Sequence, residues 1–237
     1  MRTRRSRPSH LRGLVTDVDG TLTDRDRRLD PEAVEWLRRL SGRGVQVMLA
    51  TGNVLPIALA LHRSIGLSGP IIAEDGGILY RKEGRREIIE RIADQRPALT
   101  AYHRLRRAGL PVERLFTDRW RETEVALVPT VSPVRIRPYL RGLGVRVEST
   151  GFAHHLIQKD VGKLSTLVRA LRPLGLAPED CLIAGDGDND VEMLRAAGWG
   201  VSFSSASRRA RDAADLVARA GYSRGFVEAI KASRGAF

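Results

Sequence analysis

The chain has 237 residues, enough for one large domain or two small ones, and 42% of them are hydrophobic. It carries a formal net charge of +12, and all but four of its 40 basic residues are arginine. No apolar run approaches the length of a membrane span, no apolar segment follows the basic amino terminus as in a secretory signal, and one cysteine excludes an intrachain disulfide. A soluble, cytoplasmic protein is expected, acting as a monomer or homodimer without a membrane partner. The arginines are scattered apart from the run at residues 1–9, so nucleic acid is a weak expectation as partner.

In chain order, residues 1–9 read as a basic, flexible tail. The apolar run Leu11–Val15 reads as a buried strand delivering Asp17-Val18-Asp19-Gly20-Thr21-Leu22-Thr23-Asp24. Gly20 allows a sharp turn there, so both carboxylates can sit at the strand's carboxyl end, where open α/β sheets bind ligands. Two close carboxylates repel unless a cation joins them, and an oxygen-loving ion such as Mg2+ suits that task. Asp30-Pro31-Glu32 reads as an N-cap, a proline at N1 and an acid in the first turn, followed by a helix to about Leu40. Val45–Ala50 forms the next strand and delivers Thr51-Gly52-Asn53. Pro56–Ile65 reads as a helix and Pro70–Ala73 as a third strand, completing a β-α-β-α-β pattern. The turn Glu74-Asp75-Gly76-Gly77 and the extended piece Ile78–Tyr80 follow.

From 81 to 152 the pattern changes to helices at 87–93, 99–108 and 133–140 and extended runs at 124–128 and 145–148, an α+β insertion. The alternation resumes with a strand at Ala153–Gln158 and a helix at Gly162–Leu171. The strand Cys181–Ala184 delivers Gly185-Asp186-Gly187-Asp188-Asn189-Asp190, and Val191–Ala197 reads as helix. A strand at Trp199–Phe203 and helices at 207–214 and 225–233 close the chain. The expected architecture is α/β: a doubly wound, mainly parallel, Rossmann-like core over 10–80 and 153–237, with an inserted α+β cap domain over 81–152.

Right-handed crossovers place the ends of parallel strands on one side of a sheet, so Asp17, Asp19, Thr51, Asp186 and Asp190 can converge, with Lys163 beside them. Alternatives stand for two of these, Thr51 as an N-cap and Lys163 as a solvated helix residue. Three motif readings fail. Gly162-Lys163-Leu164-Ser165 lacks the rest of a P-loop, Val191 and Ala197 break an EF-hand, and a third glycine is missing from a dinucleotide fingerprint. His154 and His155 point to opposite faces of a strand and cannot chelate one ion together.

Asp17-x-Asp19-Gly20-Thr21-Leu22-Thr23, Thr51-Gly52-Asn53, Lys163 and Gly185-Asp186-x-x-Asn189-Asp190 together resemble the four motifs of the haloacid dehalogenase superfamily of phosphatases. The insertion between Thr51 and Lys163 resembles the cap of the Cof-like branch, and the stretch Ile72–Gly77 is most similar to archaeal-type phosphoglycolate phosphatases. Relatives there more often carry asparagine where this chain has Asp75. The resemblance implies a phosphomonoester hydrolase with Asp17 as nucleophile and Asp19 as general acid and base. It implies Mg2+ as cofactor, held by Asp17, the Asp19 carbonyl, Asp186 and Asp190, and phosphoryl contacts from Thr51, Gly52, Lys163 and Asn189. The implied substrate is a small phosphorylated metabolite, 2-phosphoglycolate first, with sugar phosphates or a phosphomannomutase reaction as alternatives. The alternative of another class is a basic nucleic-acid-binding protein on an inactive core. Arg119, Arg121, Arg135 and Arg137 in the insertion are candidates for a substrate carboxylate, and the sequence does not choose among them.

Overall fold

The computed structural model describes residues 10–237; the expected tail at 1–9 lies outside them. The strands are β1 (Gly13–Thr16), β2 (Gln46–Ala50), β3 (Ile71–Ala73), β4 (Ile78–Glu83), β5 (Arg86–Arg91), β6 (Val125–Leu127), β7 (Val145–Ser149), β8 (His154–Gln158), β9 (Cys181–Ala184), β10 (Trp199–Phe203) and β11 (Leu216–Ala218). The helices are α1 (Pro31–Gly42), α2 (Leu55–Ile65), α3 (Gln95–Arg107), α4 (Pro133–Ile136), α5 (Lys163–Leu171), α6 (Val191–Ala196), α7 (Arg208–Ala213) and α8 (Tyr222–Ser233).

Eight strands form one sheet in the order β11-β10-β9-β1-β2-β3-β4-β5, parallel from β11 to β3 and antiparallel at β4 and β5. Successive side chains leave opposite faces of a strand, and both faces are apolar here. Leu14, Val47, Leu49 and Leu182 pack with Leu37 of α1, Ala58 of α2 and Phe226 of α8. Val15, Met48, Ala50 and Ile183 pack on the other face with Leu167 of α5 and Met193 of α6. The result is a three-layer α/β/α body. Asp30 caps α1 as expected, accepting from the backbone N–H groups of Glu32 and Ala33.

A second, antiparallel sheet has the order β6-β8-β7 and packs against α3 through Ala98, Ala101, Leu105, Val125, Val147 and Leu156. Two expectations change here. Residues 87–93 are not helical: β5 pairs antiparallel with β4 across the two-residue turn Gly84-Arg85, where Gly84 has φ 60°. The strand at 154–158 belongs to the small sheet rather than the large one, because Leu156 lies opposite both Val125 and Val147 in that lobe's core. The chain therefore passes between the sheets after β5 and again after β8, not at 81 and 152. β11, unannounced by any strong periodicity, adds an edge strand to the large sheet.

Candidate active site

The parallel strands β1, β2, β3 and β9 all end at one edge of the large sheet, beneath the smaller lobe. Between them lies a cleft of about 960 Å³, lined by Asp17, Asp19, Thr51, Asn53 and Asp186 from the large lobe and by Phe116, Arg121, Phe152 and His155 from the small one.

Asp17 follows β1 directly and is buried. Lys163, the first residue of α5, is also buried and donates through Nζ to Asp17 Oδ1 (2.8 Å) and Asp190 Oδ1 (2.7 Å). It is thus an internal cation rather than a solvated helix residue. Burial opposes its charge, but Asp17 and Asp190 hold its pKa well above the usual lysine value. Asp17 is nonetheless pushed well above the usual carboxylate range, by burial first and then by Asp190 and Asp186, which outweigh the lysine. Asp186 is pushed up to about 7 by burial and by Asp190. Asp190 uses both oxygens: Oδ2 accepts from the N–H groups of Asp186 (3.1 Å) and Gly187 (3.0 Å), fixing the loop after β9.

Ligand atoms of Asp17, Asp186 and Asp190 lie within 4.8 Å of one another. Three carboxylates around one lysine leave excess negative charge, and among the described residues no hydrogen bond reaches Asp17 Oδ2 or Asp186 Oδ2. This donor set fits a hard divalent cation. Gly20 is required beside it, since its φ is 82° and a Cβ there would collide with the Asp186 carboxylate.

Asp19 is half-buried and held from two sides, by Asn53 Nδ2 at its Oδ2 (2.5 Å) and by Arg27 Nε at its Oδ1 (3.1 Å). Thr51 does not cap α2, whose N-cap is Val54 without a side-chain bond. Its hydroxyl instead accepts from Asn53 N–H (3.1 Å), shaping the loop Thr51-Gly52-Asn53. Asn189 lines the cleft while its amide donates to Asp75 Oδ1 (2.8 Å).

A second buried group was not singled out by the sequence. Asp75 sits under the Thr51 loop, where a Cβ on Gly52 would stand 3.0 Å from its Oδ2. Across the lobes, His155 Nδ1 faces Glu124 Oε1 (3.0 Å) and Asp75 Oδ2 (3.5 Å), and Arg121 donates to Glu124 and to the Gly52 carbonyl (2.9 Å). Burial opposes charge on both partners. His155 and Lys163 even so hold the Asp75 carboxyl below its usual value, while Glu124 and Asp75 raise the His155 imidazole above its own. Arg121, one of the four candidate arginines, is therefore buried and committed inside this network. Arg119, another, stacks on Phe116 (4.1 Å). The only signal in the sequence was the acidic turn Glu74-Asp75-Gly76-Gly77, because the partners come from a different lobe.

Comparison with known proteins agrees with this geometry. Residues 14–112 and 136–230 match the family of haloacid dehalogenase-like hydrolases. A protein named phosphoglycolate phosphatase from Methanoculleus marisnigri is 42% identical over 93% of this chain and 96% of its own length. One of the same name from Methanothermobacter thermautotrophicus is 38% identical over 93% and 98%. A crystal structure of a Thermoplasma acidophilum protein, 25% identical, superposes with a TM-score of 0.84 over 95% of this chain and 99% of that one.

Proposed function

The chain is an enzyme of the haloacid dehalogenase-like hydrolase family, a phosphatase, and we propose that it hydrolyses 2-phosphoglycolate to glycolate and phosphate through an aspartyl-phosphate on Asp17. The observation that carries this reading is the buried Asp17 carboxylate, oriented by Lys163 at a cleft that Asp19 lines beside it.

Asp17 attacks phosphorus as the bridging P–O bond breaks, and the departing glycolate oxygen takes the proton carried by Asp19. Asp19, now a carboxylate, draws a proton from water; the water oxygen attacks phosphorus and returns Asp17 to its free form. Asn53 and Arg27 hold the Asp19 carboxyl group in one orientation for both steps. Lys163, Thr51, the Gly52 backbone and Asn189 would hold the non-bridging oxygens. Mg2+ held by Asp17, Asp186, the Asp19 carbonyl and Asp190, directly or through water, would neutralise charge between nucleophile and phosphate. The smaller lobe acts as a cap that closes over the cleft and limits water to the attacking molecule. A cytoplasmic location suits a small anionic metabolite.

The test is phosphate release from a panel of phosphomonoesters with Mg2+ and then with EDTA. Preference for 2-phosphoglycolate, lost on chelation, is expected. Equal or better turnover of sugar phosphates would overturn the substrate, and activity persisting in EDTA would overturn the metal requirement.

A further inference from the structure

The loop after the Asp17–Asp19 segment is tightly built. Asp24 Oδ1 accepts from the N–H groups of Asp26 and Arg28 (both 2.9 Å), Asp24 N–H donates to the Arg28 carbonyl (2.9 Å), and Thr23 bridges to Leu29. Arg27 stands at its tip with φ 64°, a left-handed position. Its guanidinium reaches back into the cleft, donating through Nε to Asp19 Oδ1 and lying 4.7 Å from the ring centroid of Phe152 in the other lobe. Among the described residues that is its one hydrogen bond, so both terminal nitrogens have no protein partner. Of the other cations near the cleft, Lys163 is bound to Asp17 and Asp190, at the place of the phosphoryl group, and Arg121 and His155 to Glu124.

Position gives this free fork a task. A group that protonates the bridging oxygen must lie beside that oxygen, so whatever the oxygen carries also lies next to Asp19. Arg27 touches Asp19 in the cleft and therefore borders the leaving group rather than the phosphoryl group. In a phosphorylated 2-hydroxy acid the carboxylate carbon is two bonds from the bridging oxygen, and a planar guanidinium matches a carboxylate bidentately.

We propose that Arg27 is a specificity-determining residue, binding the carboxylate of the leaving group through its two terminal nitrogens while its stacking on Phe152 ties that recognition to the smaller lobe. This rests on the phosphatase reading of the cleft given above. It also separates the substrate class from sugar phosphates, which offer hydroxyls at that place.

The test compares kcat/KM for 2-phosphoglycolate with that for ethyl phosphate, which has a methyl group in place of the carboxylate, in the wild type, Arg27→Gln and Arg27→Lys. The ratio should fall about 10- to 100-fold in Arg27→Gln, chiefly through KM for 2-phosphoglycolate, with partial recovery in Arg27→Lys. Arg27 serving only to shape the loop or to orient Asp19 would slow both substrates together and leave the ratio unchanged, which overturns the inference. A wild type that does not prefer 2-phosphoglycolate over ethyl phosphate overturns the substrate reading itself, and the inference with it.

Discussion

His155 lies buried between Glu124 and Asp75, close to the charge it needs and far from water. Its pKa in the folded chain is raised above the ordinary 6.5. A histidine in that state stabilises the fold fully below its unfolded pKa, and the contribution fades as pH rises through the folded value. Urea unfolding of the wild type and of His155→Gln from pH 5.5 to 8.5 checks this. The advantage of the wild type should be largest below about pH 6.5 and shrink as pH rises; a gap that widens with pH would contradict it. The convergence of Asp17, Thr51, Lys163 and Asp186 on one edge of the sheet was legible in the sequence, because each stands in a local motif. Arg27, Asp75 and His155 were not, because their partners lie in other elements and no local pattern announces a contact made across the cleft.

At the scale of elements, the turn after β3 ties the sheet edge to the smaller lobe. The buried Glu74 carboxylate accepts from Glu122 N–H, Thr123 N–H and Thr123 Oγ1 (2.6 Å), all at the entry to β6. Gly76 beside it has φ 102°, and a Cβ there would strike the Gly162 carbonyl at the start of α5, so the turn also seats Lys163. Removing a buried acceptor leaves its donors desolvated and unpaired. Glu74→Ala should therefore cost about 2–4 kcal/mol in urea unfolding, while Thr123→Val, which removes one bond only, costs about 1 kcal/mol. Equal and negligible costs would mean that this junction does not hold the lobes. The mainly parallel character of the sheet followed from alternating buried strands and helices. The edges did not. β5 was hidden by a short helical periodicity that the Gly84 turn overrides, and β8 reads like any buried strand, with nothing local to say which sheet it joins.

Across the whole molecule, part of the arginine content is taken up in surface ion pairs, and the net charge of +12 remains beyond them. Arg12, Arg63, Arg81, Arg91, Arg96 and Arg169 each meet an acidic partner on the surface or in a shallow groove. Exposed pairs of this kind add little stability. The cleft lies where two lobes meet: in the proposed reaction the large sheet would supply nucleophile, acid and cation ligands, and the small lobe lines the far wall with Phe152, Arg121 and His155. In the proposed reaction the phosphoryl group passes through Asp17. Acid-quenched enzyme, sampled during turnover of 2-phosphoglycolate with Mg2+ and digested for mass spectrometry, tests it most directly. One phosphoryl adduct is expected, confined to the peptide containing Asp17 and absent from a folded, inactive Asp17→Asn protein. Turnover by Asp17→Asn, or an adduct on any other residue, would contradict it.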